Sequence, residues 1–248
     1  MRVSRLHVDG TLVPGTRIEL GGERAGYLGR VLRARPGDRL VLFDGQGGEL
    51  EATVTAVARE RVAVAVGLRR EVDRESPLAV TLGIGISRGE RMDYALQKST
   101  ELGVAAVVPL LTERCVVQLD RERAASRLAH WTKVLIGACE QCGRSRLPAL
   151  APVTGLSDWL AGRVSGLRLV LSPEADTNLA DLTPPEGELT LLIGPEGGLE
   201  PAEIALAARA GFRALRLGPR ILRSETAVVA ALAAIQARWG DLGGGARR

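Results

Sequence analysis

At 248 residues, with 46% hydrophobic and 25% charged residues, the chain can bury a real core, and its composition excludes a disordered one. No apolar run approaches the ~20 residues that span a bilayer. No signal-like segment follows Met1-Arg2-Val3-Ser4-Arg5, so the expectation is a cytoplasmic protein without a membrane. The net charge is only +4, yet all but two of the 33 basic residues (Lys98 and Lys133) are arginine, whose planar fork suits phosphate and base edges and admits RNA as a partner. Three cysteines and two widely separated histidines argue against a disulfide scaffold or a zinc site, and no metal is expected.

In chain order, the first signals are of strands. An apolar run at 40–43 is followed by turn chemistry at Asp44-Gly45 and Gly47-Gly48. Leu50, Ala52 and Val54 then alternate with Glu49, Glu51 and Thr53, and Val62, Val64, Val66 and Leu68 alternate with Arg61, Ala63, Ala65 and Gly67. A period of two predicts half-buried strands, and several short ones with glycine turns predict a small barrel or sandwich. Residues 69–77 (RREVDRESP) are charged, aperiodic and end in proline. They are expected to be a linker, which divides the chain into domains 1–72 and 73–248.

Beyond Pro77 strands and helices alternate. Apolar runs at 78–86, 104–111, 167–171, 189–193 and 214–217 read as strands. Residues 90–102 have helical spacing closed by Gly103, 121–142 form a long helix, and 201–210 start with Pro201 and end before Gly211. Ser224 is expected to cap a last helix ending near Trp239. This alternation predicts an α/β domain with a mostly parallel sheet covered on both faces. From Ala227 to Ala237 only Gln236 is polar. A helix apolar all round needs two burial surfaces, its own sheet and, on this reading, a second copy of the chain in a homodimer.

Three strand-to-helix crossings are candidate ligand sites, since ligands of α/β sheets bind beyond the carboxyl ends of strands. They are 171–174 (LSPE), 192–199 (LIGPEGGL) and 217–227 (LGPRILRSETA). Their glycines allow close backbone approach to a flat ligand. Neither the P-loop nor the G-x-G-x-x-G pattern is present, so a nucleoside-like ligand held by backbone groups and apolar walls fits better than a phosphate-anchored one.

Residues 193–199 (IGPEGGL) followed by 217–227 closely resemble the signature of the bacterial small-subunit ribosomal RNA uridine-N3 methyltransferases, members of the SPOUT superfamily. The resemblance extends over Arg2 and Arg5, 28–33 (LGRVLR), 43–45, 87–90 (SRGE), 97–104 (QKSTELGV), Pro109, Glu113-Arg114-Cys115 and 138–144 (ACEQCGR), nearly the whole chain. It implies a PUA-like RNA-binding β-barrel, an α/β SPOUT domain with a C-terminal trefoil knot, and a homodimer. The implied cofactor is S-adenosyl-L-methionine, lined by Leu171, Ser172, Gly194, Pro195, Glu196, Gly197, Gly198, Leu217, Gly218, Ile221, Leu222, Arg223, Thr226 and Ala227. The implied reaction is methylation of N3 of one uridine (uridine 1498 in the family) of 16S ribosomal RNA in the small ribosomal subunit. Glu200 stands where relatives often have Ser, and Arg88 where many have Lys.

Uridine N3 carries a proton at neutral pH, so the site must stabilise an anionic base and hold it in line with the methyl group. Arg88, Lys98, Arg114, Arg144 and Arg223 are candidates for that stabilisation. Glu196, Glu101 and Glu225 are candidate proton acceptors, and Arg223 and Glu196 lead. Arg2, Arg5, Arg30 and Arg33 are candidate RNA phosphate contacts. The pair Cys139 and Cys142, with no second pair and no nearby histidine, reads as packing or as RNA-contact geometry around Arg144 rather than as a metal or redox site. A ribose 2′-O methyltransferase acting on tRNA, or a cofactor-free RNA-binding assembly factor, would share much of this pattern.

Overall fold

The computed structural model describes residues 3–115, 120–162 and 166–243, in two compact units, Met1–Glu75 with Cys139–Leu147, and Ser76–Ala138 with Pro148–Arg248.

In the first unit β1 (Ser4–His7) and β2 (Arg17–Gly21) precede a short helix α1 (Gly22–Gly26), which runs into one π-helical turn, Tyr27–Val31. Then come β3 (Arg39–Phe43), β4 (Glu49–Val57) and β5 (Arg61–Arg70). Among the described residues the strand order is β1-β3-β4-β5-β2, antiparallel except for β1 against β3. The expected alternation appears in β4, where Leu50, Ala52 and Val54 are buried and Glu51 and Thr53 exposed. Register breaks between β4 and β5 at Leu50/Ala52 and Val54/Ala56 are bulges that sharpen the twist and curl the sheet over its apolar core.

Glu49 departs from the alternation, for it is buried and ion-paired with Arg5 and Arg74. Burial alone would raise its pKa, but those guanidiniums outweigh burial and hold the carboxyl below its ordinary value. The same kind of contact places 139–147 in this unit. Arg144 is buried and paired with Glu75, and Arg74 Nη1 donates to the Gly143 carbonyl at 2.8 Å. The His7 N–H donates to Glu140 Oε1 at 2.9 Å. The charged stretch 69–77 is therefore not a free linker along its length. Burial pushes the Cys139 thiol up to about 12, so it stays protonated at neutral pH, unsuited to metal ligation or thiolate chemistry.

The second unit opens with β6 (Ala79–Gly85), α2 (Glu90–Glu101), β7 (Val104–Leu111) and α3 (Arg121–Cys142), whose last turn groups with the first unit. After β8 (Ala149–Leu150), β9 (Thr154–Gly155) and α4 (Leu156–Ala161) come β10 (Leu167–Leu171), β11 (Glu188–Ile193), α5 (Pro201–Arg209), β12 (Arg213–Leu215) and α6 (Ser224–Trp239). The sheet order among the described residues is β12-β10-β11-β6-β7-β8, with β9 also on β7. Every pairing is parallel. Leu189, Leu191 and Ile193 of β11 face a core shared with Met92, Leu96, Trp131, Leu135, Val228 and Leu232. Leu192 between them faces the opposite core, with Leu156, Leu160, Ala207 and Phe212. Alternate side chains thus cover both sheet faces with helices.

Helix α6 begins one residue after its N-cap Arg223, and the expected cap, Ser224, is instead its first residue. The Ser224 hydroxyl lies 3.2 Å from that of Ser87, both buried. Val228, Ala231, Leu232, Ile235 and Gln236 form the buried stripe, while Val229, Ala230, Ala233 and Ala234 are half-buried. Gln236 is enclosed because both ends of its amide are used. Its Nε2 donates to the Leu102 carbonyl at 3.0 Å, and its Oε1 accepts from the Ser76 hydroxyl at 2.7 Å. Gln236→Leu strips the Leu102 carbonyl of its donor and the Ser76 hydroxyl of its acceptor, and urea denaturation is expected to show a loss of about 1–3 kcal/mol. An unchanged midpoint would show that the amide contributes nothing.

Candidate functional site

Strands β10, β11 and β12 lie side by side, and the crossings that follow them, 171–174, 193–199 and 217–222, line a cavity of about 410 Å³, of the size that holds a small molecule. Ile193, Leu199, Ile204 and Leu215 supply apolar wall, and Arg114, Glu174 and Arg220 supply charge. The crossings are fixed to one another. The Ser172 N–H donates to the Leu215 carbonyl at 3.0 Å, and the Gly198 N–H closes a tight turn on the Pro195 carbonyl at 2.8 Å.

Glycine matters at two positions here. A Cβ on Gly194 would stand 2.8 Å from the Gly198 carbonyl carbon and 2.9 Å from the Leu199 nitrogen, so the loop can fold back on itself only without a side chain. Gly218 has φ +73°, and a Cβ there would meet no atom within 4 Å. The cavity is therefore open in front of its backbone, as a flat ligand would require.

Charged side chains lock the central crossing in place. Glu196 Oε1 accepts from the Arg88 N–H at 3.0 Å and from Arg91 Nη1 at 3.2 Å. Burial pushes the Glu196 carboxyl up, but hydrogen bonds from the Arg88 and Glu196 backbone, Arg91 and Ser87 pull harder, and its pKa is lowered. A depressed carboxyl contributes its stabilisation fully above its unfolded pKa and loses it only as pH falls through the folded value. At neutral pH Glu196 is thus an anion that holds 88–91 against the loop. Arg114 grips the other side, with Nη1 donating to the Gly197 carbonyl at 2.8 Å and Nε to Glu200 Oε1 at 2.7 Å. Glu200 is the N-cap of α5, and its N–H donates to Glu203 Oε2 at 2.8 Å.

The residues expected around a cofactor converge here, except Arg223 and Thr226, which are exposed and do not line the cavity. Leu222 and Ser224, on either side of Arg223, do line it. The Arg223 and Arg88 side chains are exposed and have no ion-pair partner among the described residues. Two other expected catalytic groups are otherwise engaged. Lys98 Nζ is bound to Glu101 at 2.8 Å and 3.0 Å, two turns along α2 from Arg91. Arg144, 5% exposed, is committed to Glu75 within the first unit.

Of the expected RNA contacts, Arg2 lies outside the described residues. Arg5 is turned inward rather than outward. Its side chain is 12% exposed, ion-paired with Glu49, and donates to the Arg144 carbonyl and the Ser145 hydroxyl. Arg30 and Arg33 are exposed. The lining residues outside the three expected crossings are Arg114, Pro201, Ile204 and Leu215. The amphipathic phase of α5 was the available signal for Ile204. Among the described residues no group of three or more His, Cys, Asp or Glu is placed to hold a metal ion, and no helix is long and apolar enough to cross a membrane.

Residues 74–236 match the family model of an RNA methyltransferase domain, and residues 20–66 that of an RNA methyltransferase PUA domain. The chain is 32% identical to the ribosomal RNA small subunit methyltransferase E of Buchnera aphidicola subsp. Schizaphis graminum, over 97% of this chain and 98% of the relative. It is 34% identical to that of Mycobacterium bovis, over 94% and 92%. Among solved structures, a methyltransferase of Legionella pneumophila in complex with SAM superposes with a TM-score of 0.94 at 42% identity, covering 97% of this chain and 100% of the other. The ribosomal RNA small subunit methyltransferase E of Neisseria gonorrhoeae bound to S-adenosyl methionine gives 0.90 at 40%, covering 97% and 99%.

Proposed function

The chain belongs to the ribosomal RNA small subunit methyltransferase E family, and from that premise we propose that it transfers a methyl group from S-adenosylmethionine to N3 of one uridine of 16S ribosomal RNA. Its fold is the family's α/β SPOUT domain preceded by a PUA-like domain. The observation that carries the proposal is the cavity of about 410 Å³ where three crossings meet, open at Gly218 and walled by Ile193, Leu199 and Leu215.

Those residues fit the cofactor's adenosine, with backbone groups of 193–199 and 217–222 available to its base and ribose. When bound, the cofactor supplies an electrophilic methyl on a positively charged sulfur. The chain's own contribution is to position a uridine whose N3 must give up its proton. Arg223 and Arg88, unpaired and permanently charged, stabilise the resulting anion. Glu196, with its basicity lowered and its Oε1 already accepting two hydrogen bonds, holds the loop, and the N3 proton passes to solvent water.

The half-buried apolar face of α6 (Val229, Ala230, Ala233) supports a homodimer, to be read by sedimentation velocity. The convergence of the three crossings supports the trefoil knot of the family. The substrate is the RNA within the small ribosomal subunit, in the cytoplasm. Digestion of RNA from naked and subunit-assembled reactions, followed by nucleoside mass spectrometry, is expected to show 3-methyluridine. A 2′-O-methyl nucleoside would transfer the chain to ribose chemistry, and no cofactor binding by calorimetry would leave an RNA-binding assembly factor. Arg30 and Arg33 are the proposed phosphate contacts. Their joint replacement by alanine is expected to lower the slope of log affinity against log salt by about 2, one per contact, with cofactor affinity unchanged. An unaltered slope would withdraw them.

A further inference from the structure

The π-helical turn Tyr27–Val31 of the first unit has a surface that packing does not explain. Its inner side is fixed by Leu28, fully buried, whose carbonyl accepts the Ala34 N–H at 2.9 Å. The Leu32 N–H donates to the Tyr27 carbonyl at 3.0 Å, so Tyr27 and Val31-Leu32 stand one turn apart on the same outer side. There Tyr27 is 43% and Val31 67% exposed, with Leu32 beside them. Val57 of β4 adjoins the turn, its Cγ1 3.9 Å from where a Cβ on Gly29 would be, and is itself exposed. Of the two aromatic residues in this unit, Phe43 is wholly buried and Tyr27 is presented to solvent.

Basic side chains flank this apolar patch. Arg30 and Arg33 are exposed and have no carboxylate partner among the described residues, while the Arg35 N–H donates to Asp38 Oδ2 at 2.7 Å. Arg30 folds back so closely over Gly26 that a Cβ there would lie 2.6 Å from its Nη2, which holds the guanidinium one residue from Tyr27. Arg33, at φ +51°, is the only non-glycine residue with positive φ among the described residues, a conformation that L-residues rarely adopt. Single π-turns and left-handed non-glycine residues both concentrate at functional sites.

An exposed ring with exposed aliphatic side chains on the same turn, beside two unpaired guanidiniums, is the surface that a base of a single strand stacks on while its phosphates meet arginine. We propose that Tyr27, supported by Val31, Leu32 and Val57, is a stacking platform for an unpaired base of the RNA substrate, with Arg30 and Arg33 holding the flanking phosphates. The platform discriminates single-stranded from duplex RNA, since a paired base cannot leave its stack to cover the ring. This inference rests on the reading of the chain as acting on RNA.

The test uses the full chain and a short labelled RNA oligonucleotide, single-stranded or annealed to its complement, titrated by fluorescence anisotropy. Tyr27→Ala is expected to weaken single-strand binding about 10-fold and to leave duplex binding, melting temperature and S-adenosylmethionine affinity unchanged. Tyr27→Phe keeps the π face and is expected to bind as the unaltered chain does. Equal single-strand affinity for Tyr27→Ala and the unaltered chain would overturn the platform while leaving the RNA reading intact. An equal loss on single strand and duplex would reduce the surface to a phosphate contact and overturn it too. If the unaltered chain binds the cofactor but neither RNA, the wider reading fails with it. If Tyr27→Ala weakens binding to whole small subunits alone, the patch meets a protein, and the proposal falls.

Discussion

Gly194→Ala is expected to lose S-adenosylmethionine binding by about 5- to 150-fold, the equivalent of the 1–3 kcal/mol that overpacking costs. The added methyl would lie 2.8 Å from the Gly198 carbonyl carbon and 2.9 Å from the Leu199 nitrogen. Both are backbone atoms, so no rotamer change relieves the contact. The loop has to open, and its other restraints oppose that. Pro195 is pressed against Gly85, where a Cβ would stand 2.4 Å from the proline Cδ. Arg114 holds the Gly197 carbonyl at 2.8 Å, and the Arg88 N–H holds Glu196 at 3.0 Å. The distortion therefore falls on the cavity wall. Calorimetry with S-adenosylmethionine, set beside a thermal melt, separates loss of the site from loss of the fold. Retention of wild-type affinity would mean that the backbone of 194–198 is not what holds the cofactor.

Arg223→Ala is expected to lower kcat by about 10²–10³-fold, the usual consequence of removing one preorganised donor from a developing anion. The melting temperature and cofactor affinity should not change, because the side chain is exposed, lies outside the cavity lining and has no ion-pair partner among the described residues. Its backbone keeps its part as the N-cap of α6, where the Arg223 carbonyl accepts from the Ala227 N–H at 2.8 Å. Arg223→Lys restores charge without the planar fork, so partial recovery is expected. Single-turnover rates on ribosomal subunits read this directly. A fall in cofactor affinity instead of kcat would make Arg223 a binding residue.

The sequence pattern disclosed elements wherever periodicity was set by burial on one face. Strands β4, β5, β6, β7, β10 and β11 and helices α2, α3, α5 and α6 lie within a few residues of their expected ranges. So do the crossings that line the cavity, because glycine and proline after an apolar run mark a chain reversal whatever the ligand. Partnership between charges was not legible. Arg5 and Arg144 look on paper like Arg88 and Arg223, and only the fold shows that Glu49 and Glu75 engage them, whereas Lys98 and Glu101 stand three apart on one helix, a spacing at which side chains meet. Nor could spacing foresee that the Glu200 side chain pairs with Arg114, 86 positions away, although its capping partner Glu203 stands only three residues on.

The first unit is discontinuous in sequence. Its closing piece, Cys139–Leu147, supplies the guanidinium for Glu75, the carboxylate for the His7 N–H and the Gly143 carbonyl for Arg74. A ribosome making this protein thus extrudes Glu75 long before its counter-ion exists, and that module stays unfinished until residue 147 has cleared the exit tunnel. For the same reason a single recombination breakpoint after residue 75 would separate a charge from its mate, so exchange of this module alone between homologues requires three cuts, after residues 75, 138 and 147.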